Sequence, residues 1–534
     1  MNSHNLREKV GQMMIFGFHG ITASDEIKEL IRNHHIGGII LFSRNIGTPE
    51  EILSLTSELQ REARKAGHKK PLLICIDEEN GIVRRLGESA TVFPGAMLLG
   101  ATNNPDNAYK IGQATAKELK ALGINWNLAP VVDVNNNPLN PVIGVRSYGE
   151  SPDDVSRFGQ AAMRGMQEAG VIAALKHFPG HGDTDIDSHL DLPVISHDME
   201  RLEQVELKPF VDCIRHGAAT IMSAHVYFPA IEKRPNVPAT LSRDVITGLL
   251  REKLQFKGVV TTDCMEMNAI AGTIGTAQGA KEAVKAGVDL VMVSHTYEFQ
   301  KASIEAVIHA VNTGEISLQI IDDAVERIHT LKNQYLSWND IPQEEGGVPV
   351  PSVVGCEDHQ KLAEEMYRQG ISIIKNDSHT IPLSSAAEHR VLVVYPKNSV
   401  TVLVEDGKRS NHTLDRIFKE IHPAAETIVL NSPTTKEETA AIIEKAQGFD
   451  TIIAGTYKLT PRDMQIELIN QLQHAGKKVV VIAMRNPYDL SYFPNADASV
   501  AAYEFTYPAL KMAVKAIYGL EKVTGRAPVT IPTA

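Results

Sequence analysis

The chain of 534 residues has only four cysteines, Cys75, Cys213, Cys264 and Cys356. They lie far apart and show no CxxC spacing, so the sequence predicts neither a disulfide framework nor a structural zinc site. It also lacks any apolar run near the ~20 residues that a membrane-spanning helix needs. Acidic residues outnumber basic ones, giving a net charge of −12, and no basic cluster occurs. A membrane span and a nucleic-acid partner are therefore not expected.

Several short motifs are missing as well. The sequence contains no GxxxxGK[ST], no GxGxxG after a strand, no GxSxG and no HExxH, which disfavours nucleotide, hydride-transfer, serine-hydrolase and zincin chemistry. The short apolar run Met13–Phe16 lacks a following small-residue cleavage site, so the chain is expected to be cytoplasmic. A chain whose export signal had been removed would look the same.

What is present is a repeated alternation of apolar strand-like runs and stretches of helical periodicity, such as Pro49–Ala66 and Asp244–Leu254. Eight strand-like runs occur before residue 340: 12–18, 36–42, 72–77, 124–129, 171–177, 218–225, 258–263 and 288–295. Eight βα units predict a (β/α)₈ barrel over residues 1–340.

Polar residues end many of these strand-like runs. They are Asp77, Lys176, His177, His225, Asp263 and His295. Active sites of (β/α)₈ barrels are built at the carboxyl-terminal ends of the strands. The positions of these residues therefore predict a catalytic site at that end of the barrel.

A stretch rich in proline and glycine, residues 341–352, is predicted to link the barrel to a second domain over residues 353–534. Five further apolar runs there predict a smaller three-layer α/β/α sandwich: 391–395, 427–430, 451–454, 479–484 and 498–503. Two polar groups after these runs, Arg485-Asn486 and Tyr503-Glu504, can either border the site or be solvated strand ends. The solvated interpretation is favoured.

The densest polar stretch runs from Lys176 to His189 and holds three histidines and three aspartates. So many ionisable groups cannot all be buried without partners, so they must face water, a ligand or each other. A solvated loop is one interpretation. A zinc site is another, with four candidate ligands: His177, His181, Asp183 and His189.

A second centre is the apolar strand that ends in Asp263. Such an aspartate can simply cap the next helix. Glycoside hydrolysis, however, needs one carboxylate near the anomeric carbon and one proton donor near the leaving oxygen. Two loops that open on the same cavity can supply both groups.

These stretches together resemble a known family. Lys176-His177-Phe178-Pro179-Gly180-His181-Gly182-Asp183-Thr184 with Asp187-Ser188-His189 resembles the signature of family 3 β-N-acetylglucosaminidases, the NagZ-like glycoside hydrolases in their two-domain form. Further matching stretches are Ala129–Val134, Val142–Gly149, Pro238–Ser242 and Thr262–Met267. In the second domain the resemblance is architectural only.

The resemblance implies a retaining mechanism with Asp263 as the nucleophile that forms a covalent glycosyl-enzyme. It also implies a dyad in which Asp187 orients His189, the acid/base. An imidazole suits this role because it titrates near neutral pH. Sugar binding is implied for four residues: Asp77, Arg146, Lys176 and His177. No cofactor and no catalytic metal are implied.

The chain departs from the family in one place. Where relatives have Asp-x-Glu-Gly-Gly-Arg-Val, it reads Asp77-Glu78-Glu79-Asn80-Gly81-Ile82-Val83. A glycine and an arginine are replaced by Asn80 and Ile82, which puts the shape of this loop in question while Asp77 is retained.

The predicted function is thus exo-hydrolysis of terminal β-N-acetylglucosamine from muropeptides or chitin-derived oligosaccharides. The alternatives are a β-N-acetylglucosaminide phosphorylase, a family 3 β-glucosidase, a metal-dependent barrel hydrolase and a non-catalytic sugar-binding protein. A histidine acid/base is compatible with phosphate as acceptor because it places no carboxylate against the anion. The sequence does not indicate the oligomeric state.

Overall fold

The computed structural model describes residues 3–187, 190–341, 349–396 and 413–532. Two of the predicted features fall partly outside these ranges. His189, the predicted acid/base, lies outside the described residues, as does most of the predicted linker, residues 342–348.

Eight parallel strands close into a barrel, in the order of the sequence. They are β1 Met14–Phe16, β2 Gly38–Leu41, β3 Leu73–Ile76, β4 Trp126–Asn127, β5 Ile172–Phe178, β6 Thr220–Ser223, β7 Val259–Cys264 and β8 Leu290–Val293. β1 pairs with both β2 and β8, which closes the cylinder. The predicted (β/α)₈ barrel is confirmed, although β4 is shorter than its apolar run.

Helices surround this barrel. They are α1 Ser3–Gln12, α2 Asp25–His34, α3 Pro49–Lys65, α4 Ala96–Ala101, α5 Pro105–Ala121, α6 Pro152–Glu168, α7 Met199–Gln204, α8 Lys208–Arg215, α9 Asn268–Ala271, α10 Thr276–Ala286, α11 Tyr297–Asn312 and α12 Leu318–Tyr335. The predicted helical stretch after β6 forms a π-helix, Asp244–Lys253. It differs from the others in hydrogen-bond spacing but covers the barrel in the same way.

The starts of α3, α5 and α6 follow one local rule. Each has a capping residue immediately before a proline: Thr48 before α3, Asn104 before α5 and Ser151 before α6. The capping side chain accepts a hydrogen bond from a backbone N–H that the helix leaves without a partner, and proline suits the first helical position. These helix starts are therefore encoded locally.

The second domain is a mixed six-stranded sheet in the order β11-β10-β12-β13-β14-β9. Its strands are β9 Ser372–Lys375, β10 Val391–Pro396, β11 Glu426–Leu430, β12 Thr451–Thr456, β13 Lys478–Ala483 and β14 Ala498–Ala501; its helices are α13 Glu357–Gly370, α14 Thr413–Ile421, α15 Lys436–Ala446, α16 Met464–His474 and α17 Tyr507–Ile517. The predicted second α/β domain is confirmed. The sequence patterns missed β9, a short, partly exposed edge strand that runs antiparallel to β14.

The apolar core is continuous from the barrel into the second domain. At the junction, α13 packs on α4 so closely that a Cβ at Gly370 would lie 2.4 Å from Leu98 Cδ2. Among the described residues, no helix is both long and apolar enough to cross a bilayer.

Candidate active site

A cavity of about 590 Å³ lies at the carboxyl-terminal end of the barrel. Its walls include residues from the ends of β3, β5 and β7 and from the loop that follows β4. Five residues predicted to be catalytic or to bind the sugar line it, Asp77, Arg146, Lys176, His177 and Asp263, and so do His181 and His295. Asp77 and Asp263, separated by 186 positions in the sequence, thus share one cavity, as expected for strand ends of a barrel.

One wall is an ion-pair network on the ends of β3 and β5. Lys176 Nζ lies 2.7 Å from Asp77 Oδ1 and 2.6 Å from Glu79 Oε1. Arg146 binds both carboxylate oxygens of Glu79, each at 2.8 Å. Glu79 therefore joins the two cations and sets the distance between them.

Burial and charge oppose each other in this network. Burial lowers the pKa of Lys176, but the nearby carboxylates of Asp77 and Glu79 outweigh it and hold the pKa above its usual value. Burial raises the pKa of Glu79, but Arg146 and Lys176 outweigh it and keep that pKa well below its usual value. Lys176 and Glu79 are consequently both charged near neutral pH.

A second buried carboxylate, Asp133, positions the histidine at the end of β5. Asp133 Oδ2 lies 2.7 Å from His177 Nδ1, and its other oxygen accepts hydrogen bonds from the backbone N–H groups of His177 and His181. The bond to Asp133 fixes the ring of His177, so that Nε2 is turned toward Arg146 Nη2 at 3.4 Å.

The loop that departs from the family pattern keeps an ordered shape. Asn80 adopts a φ of +68°, a left-handed conformation that glycine favours and asparagine tolerates. Its Nδ2 donates to Thr115 Oγ1 at 3.1 Å, and Ile82 is buried in the core. Asn80 thus adopts the backbone conformation required at a position where relatives have glycine, and Asp77 remains in the cavity wall.

The β5 loop is tightly held where it leaves the barrel. His181 Nδ1 lies 2.9 Å from Thr184 Oγ1, and Asn140 Nδ2 donates to the carbonyls of His181 and Gly182 at 2.9 Å each. A Cβ at Gly182 would lie 1.8 Å from Val134 O, so only glycine fits there. Asp187 is buried further along the loop and does not belong to the cavity wall.

Asp263 stands at the end of β7 and is half-buried. One carboxylate oxygen, Oδ1, accepts a hydrogen bond from the backbone N–H of Cys264 at 2.7 Å. Behind it, His225 Nε2 donates to the Cys264 carbonyl at 3.0 Å. His225 is almost fully buried and is not part of the cavity wall, so its position supports the strand end and does not contact a ligand there.

Three residues of the site were not singled out in the sequence. Asp133 lies inside the matching stretch Ala129–Val134, and Glu79 lies in the loop that departs from the family pattern; no basic residue adjoins either of them in the sequence. Arg85 lines the cavity with Nη2 4.0 Å from Asp77 Oδ2. Nothing in its local pattern distinguishes it from a surface arginine.

The candidate zinc ligands of the β5 loop do not come together as predicted, as far as the loop is described. His177 and His181 are bound to Asp133 and Thr184, whereas Asp183 pairs with His197 Nε2 at 2.5 Å. The groups with possible metal-ligand spacing in the described ranges are Asp183-His197-Glu206 and Cys264-Glu266-His295.

The polar residues after the second-domain strands are not solvated, which corrects the sequence-based expectation. Arg485 is 4% exposed and Glu504 is 2% exposed. Glu504 Oε2 accepts from the backbone N–H of Gly95 at 2.7 Å, so it joins the second domain to the barrel. Among the described residues, those that line the cavity all belong to the barrel.

A closed (β/α)₈ barrel with paired carboxylates and cations around a cavity at its strand ends is the arrangement of a barrel enzyme that binds a polar ligand. Comparison with known proteins makes this specific. Residues 5–331 match the glycosyl hydrolase family 3 N-terminal domain, and residues 371–534 match the family 3 C-terminal domain. The chain belongs to glycosyl hydrolase family 3 and is a glycoside hydrolase.

Similar proteins span both domains. The chain is 39% identical to a family 3 β-N-acetylglucosaminidase structure from Paenibacillus sp. str. FPU-7, with a TM-score of 0.92 and coverage of 99% of each chain. It is 33% identical to beta-hexosaminidase A of Pseudoalteromonas piscicida over 562 aligned residues, covering 96% of this chain and 92% of that protein.

A third similar structure is a fungal multi-domain family 3 β-N-acetylglucosaminidase, which is 39% identical with a TM-score of 0.91. That match covers 98% of this chain but spans only 61% of the fungal chain. A β-glucoside phosphorylase also matches in fold with a TM-score of 0.81, at 22% identity.

Proposed function

We propose that this enzyme is a retaining, exo-acting β-N-acetylglucosaminidase that releases terminal non-reducing N-acetylglucosamine from muropeptides or chitin-derived oligosaccharides. The observation that carries the proposal is the placement of Asp263 in the same cavity as the Asp77-Lys176-Arg146 network. The similarity to two β-N-acetylglucosaminidases at 39% identity supports the choice of sugar. We also infer that residues 1–340 form the catalytic unit and residues 353–534 a supporting one.

The network suits a neutral sugar. Four cationic side chains line the cavity: Arg44, Arg85, Arg146 and Lys176. Their number equals that of the acidic side chains around them, which are Asp77, Asp263 and Glu266 in the lining and Glu79, which joins Arg146 to Lys176. Because these charges balance, a ligand needs no charge of its own. Charged donors and acceptors with fixed positions can bind the hydroxyl and N-acetyl groups strongly.

Catalysis then proceeds in two displacements. The Asp263 carboxylate attacks the anomeric carbon, the bond to the leaving oxygen breaks, and a covalent glycosyl-enzyme forms. Water next attacks the same carbon from the opposite side and frees Asp263. Each step inverts the anomeric configuration, so the released sugar keeps the β configuration.

For the proton, we assign His189 as acid/base and Asp187 as the residue that orients it. Asp187 is 7% exposed. A buried carboxylate stabilises an adjacent imidazolium more strongly than a fully hydrated carboxylate does, because water screens the charge less. His189 protonates the leaving oxygen in the first step and takes a proton from water in the second.

Substrate preference is the first test. Rates should be measured on aryl β-N-acetylglucosaminide and aryl β-glucoside, each with and without phosphate and with a chelator. We expect strong preference for the N-acetyl sugar and no dependence on phosphate or chelator. A phosphate-dependent rate with a sugar phosphate as product would establish a phosphorylase. Loss of activity with the chelator would establish a metal-dependent enzyme, and binding without turnover would establish a sugar-binding protein.

The anomeric outcome tests the role of Asp263. Proton NMR of the first-formed product should show the β-anomer. If the α-anomer appears first, the covalent mechanism is wrong, and water must attack the sugar directly.

The leaving group tests the dyad. His189→Ala should slow cleavage of a disaccharide severely and cleavage of a dinitrophenyl glycoside much less, because the activated leaving group needs little protonation. Asp187→Ala should give the same pattern with a smaller loss. His216→Ala, at an exposed histidine after α8, is the matched control. Equal losses on both substrates would contradict the assignment of His189 as acid.

A further inference from the structure

A second group of ligand-type side chains lies in the same cavity, next to Asp263 on the β7 and β8 side. It consists of Cys264, Glu266 and His295. One atom from each, the thiol sulfur, a carboxylate oxygen and an imidazole nitrogen, lies within 4.8 Å of the other two. None of the three has a role in the proposed glycosidase mechanism.

Backbone contacts hold these residues together without any ligand. A carboxylate oxygen of Glu266, Oε2, accepts a hydrogen bond from the backbone N–H of His295 at 2.6 Å. The Cys264 carbonyl is fixed by His225. The His295 ring rests against Phe42, with 5.2 Å between ring centroids. The geometry is therefore determined by the barrel and not by the three side chains alone.

The histidine is available as a ligand. In the part of the chain that the structure describes, no hydrogen bond involves the ring nitrogens of His295. The side chain is exposed on the cavity side, so a ring nitrogen can donate a lone pair to a bound cation. A cation binds the thiolate form of Cys264, so the thiol proton is released to solvent when the ion binds.

One cation faces this group. Arg44 lines the same part of the cavity, but its Nε donates to Phe18 O at 2.8 Å and its Nη2 to Ser294 O at 2.6 Å. Within the described residues it forms no ion pair with Glu266. The carboxylate therefore remains free to neutralise part of the charge of a bound metal ion.

The combination of sulfur, nitrogen and oxygen donors selects a particular class of ion. Zinc binds such mixed sets at about 2.0–2.3 Å from each ligand, which places neighbouring ligand atoms roughly 3.3–3.8 Å apart. The ligand atoms here are up to 4.8 Å apart, and side-chain rotations that move them by about 1 Å bring them into this range. Three protein ligands leave a fourth position for water, whereas hard ions such as magnesium prefer all-oxygen sets.

We propose that Cys264, Glu266 and His295 form an inhibitory site for a thiophilic divalent cation such as Zn²⁺. An ion bound there is held by Cys264, the residue that follows Asp263. Its positive charge reduces the nucleophilic strength of the Asp263 carboxylate, and the ion occupies part of the cavity. The inhibitory effect rests on the proposed glycosidase function, but binding of the ion does not.

Binding and inhibition are measured separately. The full-length protein, first dialysed against a chelator, is titrated with Co²⁺ while the near-ultraviolet thiolate-to-cobalt absorption is recorded, and Zn²⁺ is then added to displace it. In parallel, hydrolysis of an aryl β-N-acetylglucosaminide is measured against Zn²⁺ concentration. We expect one equivalent of Co²⁺ with a thiolate band, and inhibition by Zn²⁺.

Variants locate the site. For each variant, inhibition is expressed relative to its own rate without Zn²⁺. His295→Gln and Glu266→Gln should each raise the Zn²⁺ concentration that gives half-inhibition at least about tenfold over that of the parent enzyme. Cys264→Ser should remove the thiolate band. His295 is exposed, so its replacement does not threaten folding. Two controls should leave the Zn²⁺ response unchanged: His197→Gln in the other candidate ligand group, and Cys356→Ser at a thiol outside the cavity.

The outcomes separate the hypotheses. A missing thiolate band, or half-inhibition unchanged in His295→Gln and Glu266→Gln, overturns the proposal. A Zn²⁺ response that changes in His197→Gln instead assigns the ion to the other group and also overturns it. A thiolate band in a protein without glycosidase activity supports the metal site and rejects the proposed function.

Discussion

The barrel and the second domain are both α/β structures with polar residues after their strands, but they use these residues differently. In the barrel, Asp77, Lys176 and Asp263 share a cavity. In the second domain, Arg485 and Glu504 are buried in structural contacts. A polar strand end therefore indicates a site only when the adjoining loops leave it open; when another domain covers it, the same residue type becomes a structural link.

Glu504 shows how such a link is made. Its Oε2 accepts from Gly95 N–H at 2.7 Å, and its Oε1 accepts from the hydroxyls of Tyr367 at 2.9 Å and Thr506 at 2.8 Å. Gly81, at φ +57°, approaches the same place so closely that a Cβ would lie 2.9 Å from Glu504 Oε2. Only a glycine there lets the loop that carries the Asp77-Glu79 network pack beside the second domain.

Further contacts join the second domain to loops around the cavity. Asn135 Nδ2 donates to Tyr488 OH at 2.9 Å, and Lys458 Nζ donates to Pro141 O at 3.0 Å. Both barrel residues belong to the long loop after β4 that also carries Arg146. In its described residues, the second domain thus supports the walls of the site without lining it. The difference between the two regions can be tested by breaking each in turn.

The largest effect is expected at the cavity. Asp263→Ala should lower kcat by about a thousandfold or more, equivalent to ~4 kcal/mol of barrier, because the covalent step loses its nucleophile. The thermal unfolding midpoint should change little, since Asp263 is only half-buried. More than a tenth of the original rate in the variant would contradict the role of Asp263.

The next largest effect is expected in the ion-pair network around Glu79, which forms one wall of the cavity. Glu79→Ala leaves Arg146 without its bidentate partner, and an unpaired buried charge costs about 3–5 kcal/mol. We expect a lower free energy of unfolding by denaturant and a raised KM. Glu357→Ala, which breaks an exposed helical ion pair with Lys361, is the control and should change stability little. Equal stability of both variants would mean that the Glu79 network is not energetically coupled to the fold.

A smaller effect is expected at the domain junction. Glu504→Ala removes the acceptor of Gly95 N–H and of the Tyr367 hydroxyl, at a cost of roughly 2–3 kcal/mol for the buried donors left without partners. Calorimetry should show a lower unfolding midpoint, and kcat/KM should fall less than in Glu79→Ala. Glu504→Gln keeps one acceptor oxygen and should recover part of both losses. An unchanged midpoint in Glu504→Ala would show that the link carries no stability.

The smallest effect is a pH dependence within the second domain. Burial raises the pKa of Asp489 to about 6, above the value of about 3.9 in an unfolded chain. The native state therefore binds this proton more tightly, and stability falls as pH rises from about 4 to 6.

Asp489→Asn removes that dependence. The variant should be more stable than the parent at pH 7.5, with the difference narrowing as the pH falls below about 6 and lost at about pH 4. Denaturant unfolding at both pH values measures this. Asp377→Asn, at an exposed position of the same domain, should show no pH-dependent difference. A constant difference at all pH values would assign the effect to packing and not to the proton.

The sequence by itself determined the eight βα units, the order of the two domains and many helix starts, because these depend on residues close together in the chain. Thr48 before Pro49 caps a helix whatever the rest of the molecule does. The strand-end positions of Asp77, Lys176 and Asp263 were equally local, since a parallel barrel brings all carboxyl-terminal strand ends to one face.

Only the tertiary structure decided which polar residues meet. Glu79 joins Arg146 across 67 positions of sequence, and Glu504 reaches Gly95 across 409. No local pattern distinguishes these carboxylates from surface ones, because their partners come from other strands or from the other domain. Burial then sets their role: charges brought out of water must find specific partners, and which partners are within reach is determined by packing rather than by sequence neighbours.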